Sequence, residues 1–447
     1  MKEREGFSGK LGFVLAAAGS AVGLGNIWRF PYLVAKYGGG IFILVYLLLV
    51  LTFGYSIMTL EIAIGRKTGL SPVGAYKKFG KKYTWIGWLT VIIPFLISGY
   101  YSVIGGWVIK YLMVYIQNLT SAAASSTFFA EYTSKPFEPI VYQCIFILAA
   151  AAVLIGGVKS GIERASKIMM PILIVLSVIV AVYTLTLPGA IDGVKYILIP
   201  DFSNFGFETI VGALGQMFYS MSLAMGIMIT FGSYLSKKDD IEKSVKNVEI
   251  FDTGVAILAT FMVVPAVFAF DSGQLNQGAG LMFITLPKVF NQIPFGTFVG
   301  GIFFLLVAFA ALTSYISIQE VLIASVCDIF KMKRIWAVIV CITASCLLGI
   351  PSSLGFGVWD NIKILGNSIL DFVDLIANSL LLPVAALATC VIFGWLVGLK
   401  PIEEEVTLTS EFKRKKIFTV IIKYVGPIFL TIIVLTNILQ FAGIVSI

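Results

Sequence analysis

The sequence predicts an all-α polytopic membrane protein of eleven transmembrane helices, on three observations. Of its 447 residues 58% are hydrophobic and 13% charged, and mean hydropathy is +0.96, an apolar share beyond that of a soluble globular chain. The charges are segregated, leaving uncharged runs at 83–109, 289–319, 375–399 and 424–447, each longer than the roughly 20 residues that cross a bilayer as a helix. No segment alternates polar and apolar residues as the strands of an outer-membrane barrel do. A water-soluble enzyme is excluded.

Charged loops punctuate the chain into spans. Span 1 (11–35) lies between Lys10 and Lys36, span 2 (41–65) ends at Arg66-Lys67, and span 3 (83–116) follows Lys77, Lys78, Lys81 and Lys82. Spans 4 (138–157) and 5 (165–187) are divided by Lys159 and Arg164. Span 6 (207–235) stops at Lys237-Lys238, and span 7 (247–269) starts after Lys246. Span 8 (292–326), span 9 (335–351), span 10 (367–398) and span 11 (417–443) are set off by Lys331–Arg334, by Asp360 and Lys363, and by Lys400 with the 413–416 basic run. External loops are expected at 117–137, 188–206, 270–291 and 352–366. The third carries Gly273, Gly278 and Gly280 before an apolar run and is expected to fold back as a short helix pair.

With the N-terminus cytoplasmic, 24 of the 32 Lys and Arg face inward, and the opposite loops carry only Lys135, Lys195, Lys288 and Lys363. The positive-inside rule then places the N-terminus in the cytoplasm and the C-terminus outside, in the cell (inner or plasma) membrane. The net charge of +8 is therefore a topology signal and not a nucleic-acid patch. Five cysteines, all in apolar segments or at their ends, read as buried small hydrophobes. The absence of histidine excludes zinc and haem sites of His type and His proton relays.

Span 1 places Gly19, Gly23 and Gly25 at mid-membrane depth, and span 6 interrupts its apolar run with Tyr219-Ser220-Met221-Ser222-Leu223-Ala224-Met225-Gly226. Glycines in a membrane helix either pack helices closely or mark a break. Span 6 opens a second set of five, and breaks in corresponding members of two halves point to an inverted-repeat transporter with its site at the midplane. We therefore expect one transporter domain over 1–447, with repeats at 11–187 and 207–398 and helix 11 (417–443) outside them. Unwound backbone at that depth is tolerated where it lines a cavity. Half-helix N-termini suit a carboxylate, and freed carbonyls suit a hard cation such as Na⁺. Tyr100 and Tyr101 in span 3, Asp252 in span 7, and Thr313 and Ser314 in span 8 fit the same pocket, although membrane hydroxyls also bond back to their own helix.

The motif GSAVGLGNIWRFP (19–31) with Gly38-Gly39-Gly40 resembles the first-helix signature of the neurotransmitter:sodium symporter family. The likeness continues through GIERASKIMMP (161–171), GQMFYSMSLAMG (215–226), ALTSYIS (311–317) and DLIANSLLLP (374–383). Eleven helices resemble a bacterial branch that lacks the family's usual twelfth. The resemblance implies two sodium sites. The first would use the Ala21 carbonyl, Asn26, Ser220 and Asp252, completed by the substrate carboxylate; the second, the Gly19, Val22 and Ala310 carbonyls with Thr313 and Ser314. It implies a substrate site of Ser20, Ala21, Gly23, Leu24, Gly25, Ile97, Tyr101, Tyr219, Ser220, Ser222, Met225, Ser314 and Ile318. It also implies an outer gate of Arg29 and Asp374 and an inner gate of Arg4 and Asp328 with Tyr234 and Ser233; Arg4 reads equally as a positive-inside anchor. Glu61 is expected to satisfy loose amides at the broken helices, and Gly161 and Pro171 either let span 5 unwind or merely kink it.

Gly23 lacks the aspartate of monoamine carriers, which implies an amino-acid substrate. Tyr46 and Gln216 match residues that hold chloride in some members, but Asp252 replaces a neutral Asn, and a fixed anion there should make chloride unnecessary. Apolar Ile97, Met225 and Ile318 point to neutral hydrophobic L-amino acids, while the methyl of Ala224 argues mildly for smaller ones. The function expected is Na⁺-coupled amino-acid import by alternating access, with no enzymatic activity. A proton-coupled carrier of similar architecture, an ion channel and an intramembrane enzyme are the alternatives. Oligomeric state is not legible.

Overall fold

The computed structural model describes residues 6–270 and 280–441. Nine helices in it are long and apolar enough to cross a membrane, from Gly40–Thr68 (span 2) to Lys415–Leu439 (span 11). Two further crossings are broken. Span 1 is Lys10–Ala21 followed by Gly25–Lys36, bent by 53°. Span 6 is Phe207–Ser220 followed by Ile227–Gly232, with residues 221–226 outside any helix. Eleven crossings with breaks in the first and sixth are the architecture that composition and glycine placement predicted. Among the described residues the extended contacts are two isolated bridges, Gly39 with Pro200 and Ile364 with Asn367.

Several helices outrun the apolar spans. Span 7 is helical over Ile241–Phe270 and span 5 over Val158–Leu185. Their added turns carry charges, Glu242, Lys243 and Lys246 in one and Lys159, Glu163 and Arg164 in the other. A helix does not end where the bilayer does; hydropathy marks only the segment inside it. Pro171 lies within Arg164–Leu185, and a π-helical turn at Val158–Glu163 precedes it. A Cβ on Gly161 would lie 2.0 Å from the Val153 carbonyl, so glycine is required there for the close return of span 5 against span 4.

Burial separates centre from periphery. The most apolar windows of spans 3 and 8 are 78% and 72% buried, against 33% for spans 4 and 11 and 39% for spans 5 and 9. Spans 3 and 8 pack on each other at the centre, while span 1 lies against spans 5, 7 and 8, and Ile227–Gly232 lies against span 2. The peripheral spans turn residues such as Leu148, Val175, Leu347 and Leu435 outward, as lipid-facing helices should. In the third external loop a π-turn at Leu281–Thr285 leads into helix Leu286–Gln292; Gly273 and Gly278 lie outside the described residues. Phe283 of this loop packs among Trp107, Tyr111, Phe129 and Phe304, which ties the loop to spans 3 and 8.

Candidate functional site at the broken helices

The break in span 1 begins at Val22, whose backbone is extended (φ −75°, ψ 98°). The break in span 6 is more strained: Ser222, Ala224 and Gly226 have φ of 54°, 60° and 72°. Left-handed conformations at two non-glycine residues cost on the order of 1–3 kcal/mol each and persist only where surroundings impose them. The surroundings are on hand. Glu61, fully buried, accepts the Ala224 amide at 2.9 Å, as expected of it. The Ser222 hydroxyl donates to the Ser20 carbonyl at 3.1 Å, tying one break to the other.

Between the breaks lies a small cavity of about 30 Å³, lined by Ser20, Ala21, Gly23, Leu24, Gly25, Ile97, Tyr101, Tyr219, Ser220, Ser222, Met225, Ser314 and Ile318. These thirteen are the residues the sequence assigned to the substrate. Ala224 is not among them, so its methyl does not form the floor. A Cβ on Gly23 would lie 2.5 Å from Ser314 Oγ and 3.1 Å from the Tyr101 hydroxyl, and one on Gly25 would lie 2.7 Å from the Tyr219 ring. Both glycines are needed for space at the cavity wall. The Tyr101 hydroxyl accepts the Leu24 amide at 3.4 Å, which joins span 3 to the break in span 1.

Asp252 is fully buried beneath one side of this cavity. It accepts from Ser220 Oγ at 2.6 Å, Asn26 Nδ2 at 2.8 Å and the Tyr46 hydroxyl at 3.0 Å. Three donors satisfy a charge that would otherwise be prohibitively costly at that depth. Asn26 Oδ1 accepts the Gly23 amide at 3.0 Å, and Gln216 Nε2 donates to the Gly25 carbonyl at 2.9 Å. Asn26 of span 1, Ser220 of span 6 and Asp252 of span 7, three of the residues that the resemblance assigned to the first cation group, are thus brought together.

The second group converges on the other side. Ser314 Oγ lies 2.9 Å from the Ser20 carbonyl, 3.3 Å from that of Val22 and 3.4 Å from that of Gly19. Thr313 bonds back to Phe309 and Ala310 at 3.0 and 3.1 Å, which keeps its hydroxyl beside the Ala310 carbonyl. Among the described residues no cluster of three His, Cys, Asp or Glu is placed to hold a metal ion. The two donor sets are all oxygen, backbone carbonyls and hydroxyls in both with the Asn26 amide and the Asp252 carboxylate in the first, which suits a hard monovalent cation.

Above the cavity, Tyr219 also lines a second, outer space of about 850 Å³ that contains Arg29, Trp107, Phe356 and Asp374. The Arg29 guanidinium lies 5.4 Å from the Tyr219 ring centroid. Asp374 accepts from Asn378 at 2.6 Å, and Asn378 also donates to the Tyr100 hydroxyl at 2.9 Å. Among the described residues Arg29 and Asp374 share this space without an ion pair within 4.0 Å. Asn378, one turn past Asp374, is a link that sequence reasoning missed although it stands in the same motif.

On the inner side Asp328 accepts the Ser71 amide at 2.8 Å; Arg4 lies outside the described residues. Ser233 bonds back to the Thr230 carbonyl at 2.6 Å, and the Tyr234 hydroxyl donates to Glu320 at 2.6 Å. Glu320 is fully buried and receives both terminal nitrogens of Arg334, at 2.9 and 2.6 Å. This bidentate pair was also missed. Its signal was an acid inside span 8 with an arginine fourteen residues on, at the start of span 9.

The family model described as the sodium:neurotransmitter symporter family matches residues 4–138 and 135–445. The sodium-dependent transporter YhdH of Bacillus subtilis is 38% identical over 391 residues, 85% of each chain. A sodium-dependent transporter of Haemophilus influenzae is 33% identical over 452 residues, 98% of each. The crystal structure of MhsT in complex with L-phenylalanine superposes with a TM-score of 0.89 at 38% identity, covering 97% of this chain and all of that one. The chain belongs to the sodium:neurotransmitter symporter family. This is a family of sodium-dependent membrane transporters, not enzymes.

Proposed function

We propose that the protein imports neutral hydrophobic L-amino acids together with sodium, by alternating access and without chloride. The observation that carries this is the cavity that both breaks line. Its lining joins the backbone at Gly23–Gly25 and the Tyr101 hydroxyl, fit for a carboxylate, to the side chains of Ile97, Met225 and Ile318, fit for an apolar side chain. That MhsT is solved with L-phenylalanine supports a substrate of this class. Met225 supports breadth, since a flexible thioether accommodates differently shaped partners.

Two sodium sites flank the cavity in this reading. The first is Ala21, Asn26, Ser220 and Asp252 with the substrate carboxylate; the second is Gly19, Val22, Ala310, Thr313 and Ser314. Sodium at the second ties span 1 to span 8, so its loss frees the bundle of spans 1, 2, 6 and 7 to rock against the rest. The repeats at 11–187 and 207–398 and an inward N-terminus belong to the same reading. Chloride independence has a structural basis in the donors. Tyr46 and Ser220 both donate to Asp252, and Gln216 donates to the Gly25 carbonyl, so two of the groups that would hold an anion are engaged by a carboxylate and the third by a backbone oxygen.

The test is uptake of labelled amino acids into proteoliposomes with and without an inward sodium gradient, repeated with gluconate for chloride. Sodium-driven uptake of leucine, phenylalanine or tyrosine, unchanged in gluconate, is expected. A several-fold fall in gluconate refutes the Asp252 argument, and gradient-independent uptake refutes sodium coupling.

A further inference from the structure

One cleft lies far from the broken helices and takes no part in the transport site. It runs between the start of span 3 and the end of span 10, with about 800 Å³ of open space lined by Tyr83, Trp85, Leu387, Ala388, Val391 and their neighbours, and Lys82 at its mouth. Trp85 is 56% and Leu396 59% exposed, so the cleft opens sideways, where a membrane protein meets lipid. Its rim is basic. Lys82 lines the cleft, and helix Pro72–Phe79 with the turn Lys81–Tyr83, which lead the chain into it, carry Lys77, Lys78 and Lys81 as well, all four lysines exposed. Lys82 Nζ lies 5.1 Å from the Tyr83 ring, at the boundary between the charged rim and the apolar wall.

No acid offsets these lysines. The sequence has no Asp or Glu between Glu61 and Glu131, nor between Asp374 and Glu403. The nearest acids of the following loop are engaged, Glu404 with Lys67 at 3.8 Å and Glu403 with Lys415 at 2.9 Å. Among the described residues none of the four lysines has an ion-pair partner within 4.0 Å. Four unpaired ammonium groups at the mouth of an apolar, laterally open slot are complementary to an anionic headgroup that carries acyl chains. Tryptophans flank the same level, Trp88 and Trp395 being 43% and 60% exposed, as at a membrane–water interface.

We propose that this cleft is a binding site for an anionic glycerophospholipid, its phosphate held by Lys81 and Lys82 with Lys77 and Lys78 behind them, and one acyl chain laid between spans 3 and 10. Naming the leaflet cytoplasmic rests on the orientation proposed above; the site itself does not. An ordinary boundary lipid would need only the apolar wall. The unopposed lysines make the site selective for charge.

The test is native mass spectrometry of the full chain released from micelles containing equal phosphatidylglycerol and phosphatidylcholine of identical chains. Wild type should retain phosphatidylglycerol several-fold over phosphatidylcholine. Lys81→Gln with Lys82→Gln should reduce that retention by about fivefold per lysine. Ala388→Trp, which fills the slot, should lower retention of both lipids, and Lys413→Gln with Lys416→Gln, exposed lysines of the same charge elsewhere, should leave the preference intact. Equal retention of the two lipids by wild type overturns the proposal. So does a preference that survives Lys81→Gln/Lys82→Gln, or one that falls equally in the Lys413/Lys416 control. Thermal unfolding of each variant separates lost lipid from lost fold, and none of these readouts depends on sodium or on uptake.

Discussion

Gly25 is a residue at which space shapes the cavity. Its missing side chain admits the ring of Tyr219, the side chain shared by the inner cavity and the outer space. Gly25→Ala should push Tyr219 off the cavity and weaken leucine binding by about tenfold or more, the range expected for one misplaced methyl in a pocket, without loss of thermal stability. Equilibrium binding to the purified variant checks this. Asp252 sets the second residue-scale prediction. In Asp252→Asn the hydroxyls of Tyr46 and Ser220 no longer serve a carboxylate, so uptake should become dependent on chloride; gluconate replacement in the variant measures it. These positions were legible because each breaks a local rule, a glycine in a helix or an acid in an apolar span. Glu320 broke the same rule and was passed over, because its partner Arg334 is outside the bilayer-spanning window and contact across two helices leaves no periodic trace.

The broken helices were readable as elements from their pairing, since three glycines in span 1, which alone could equally mark close helix packing, are matched by a run of small polar residues in span 6 at the corresponding place of the second half. What was not readable is how the breaks are held. Left-handed backbone at Ser222 and Ala224 depends on the Glu61 carboxylate from span 2 and the Ser20 carbonyl from span 1, partners distant in sequence. Span ends were misjudged because charged turns such as Glu242–Lys246 stay helical after leaving the bilayer. The joint between spans 1 and 8 yields a prediction at this scale. Thr313→Ala with Ser314→Ala removes two hydroxyls, one of which merely bonds back to its own helix, so span 8 should still fold. Gradient-driven uptake should be abolished while sodium-dependent leucine binding persists; unchanged uptake would show that the second sodium is held elsewhere.

At the scale of the whole molecule, charge and burial act together. Spans 3 and 8 have the most buried windows of the continuous crossings, and the proposed orientation rests on the lysines and arginines that the sequence gathers in the loops of one side. Lys135 and Lys238 are both exposed and lie on opposite sides in this arrangement. In intact cells, Lys135→Cys should react with a membrane-impermeant maleimide and Lys238→Cys should not, with the parent chain as blank; the reverse pattern would invert the orientation. The central claim concerns the cavity, whose walls join a carboxylate-binding break to three apolar side chains. It is tested most directly by competing labelled leucine uptake, under a sodium gradient, with each of the twenty amino acids. Strong inhibition by leucine, phenylalanine, tyrosine and tryptophan, with little by lysine or glutamate, is the predicted result; strong inhibition by lysine or glutamate and none by the hydrophobic amino acids would contradict it.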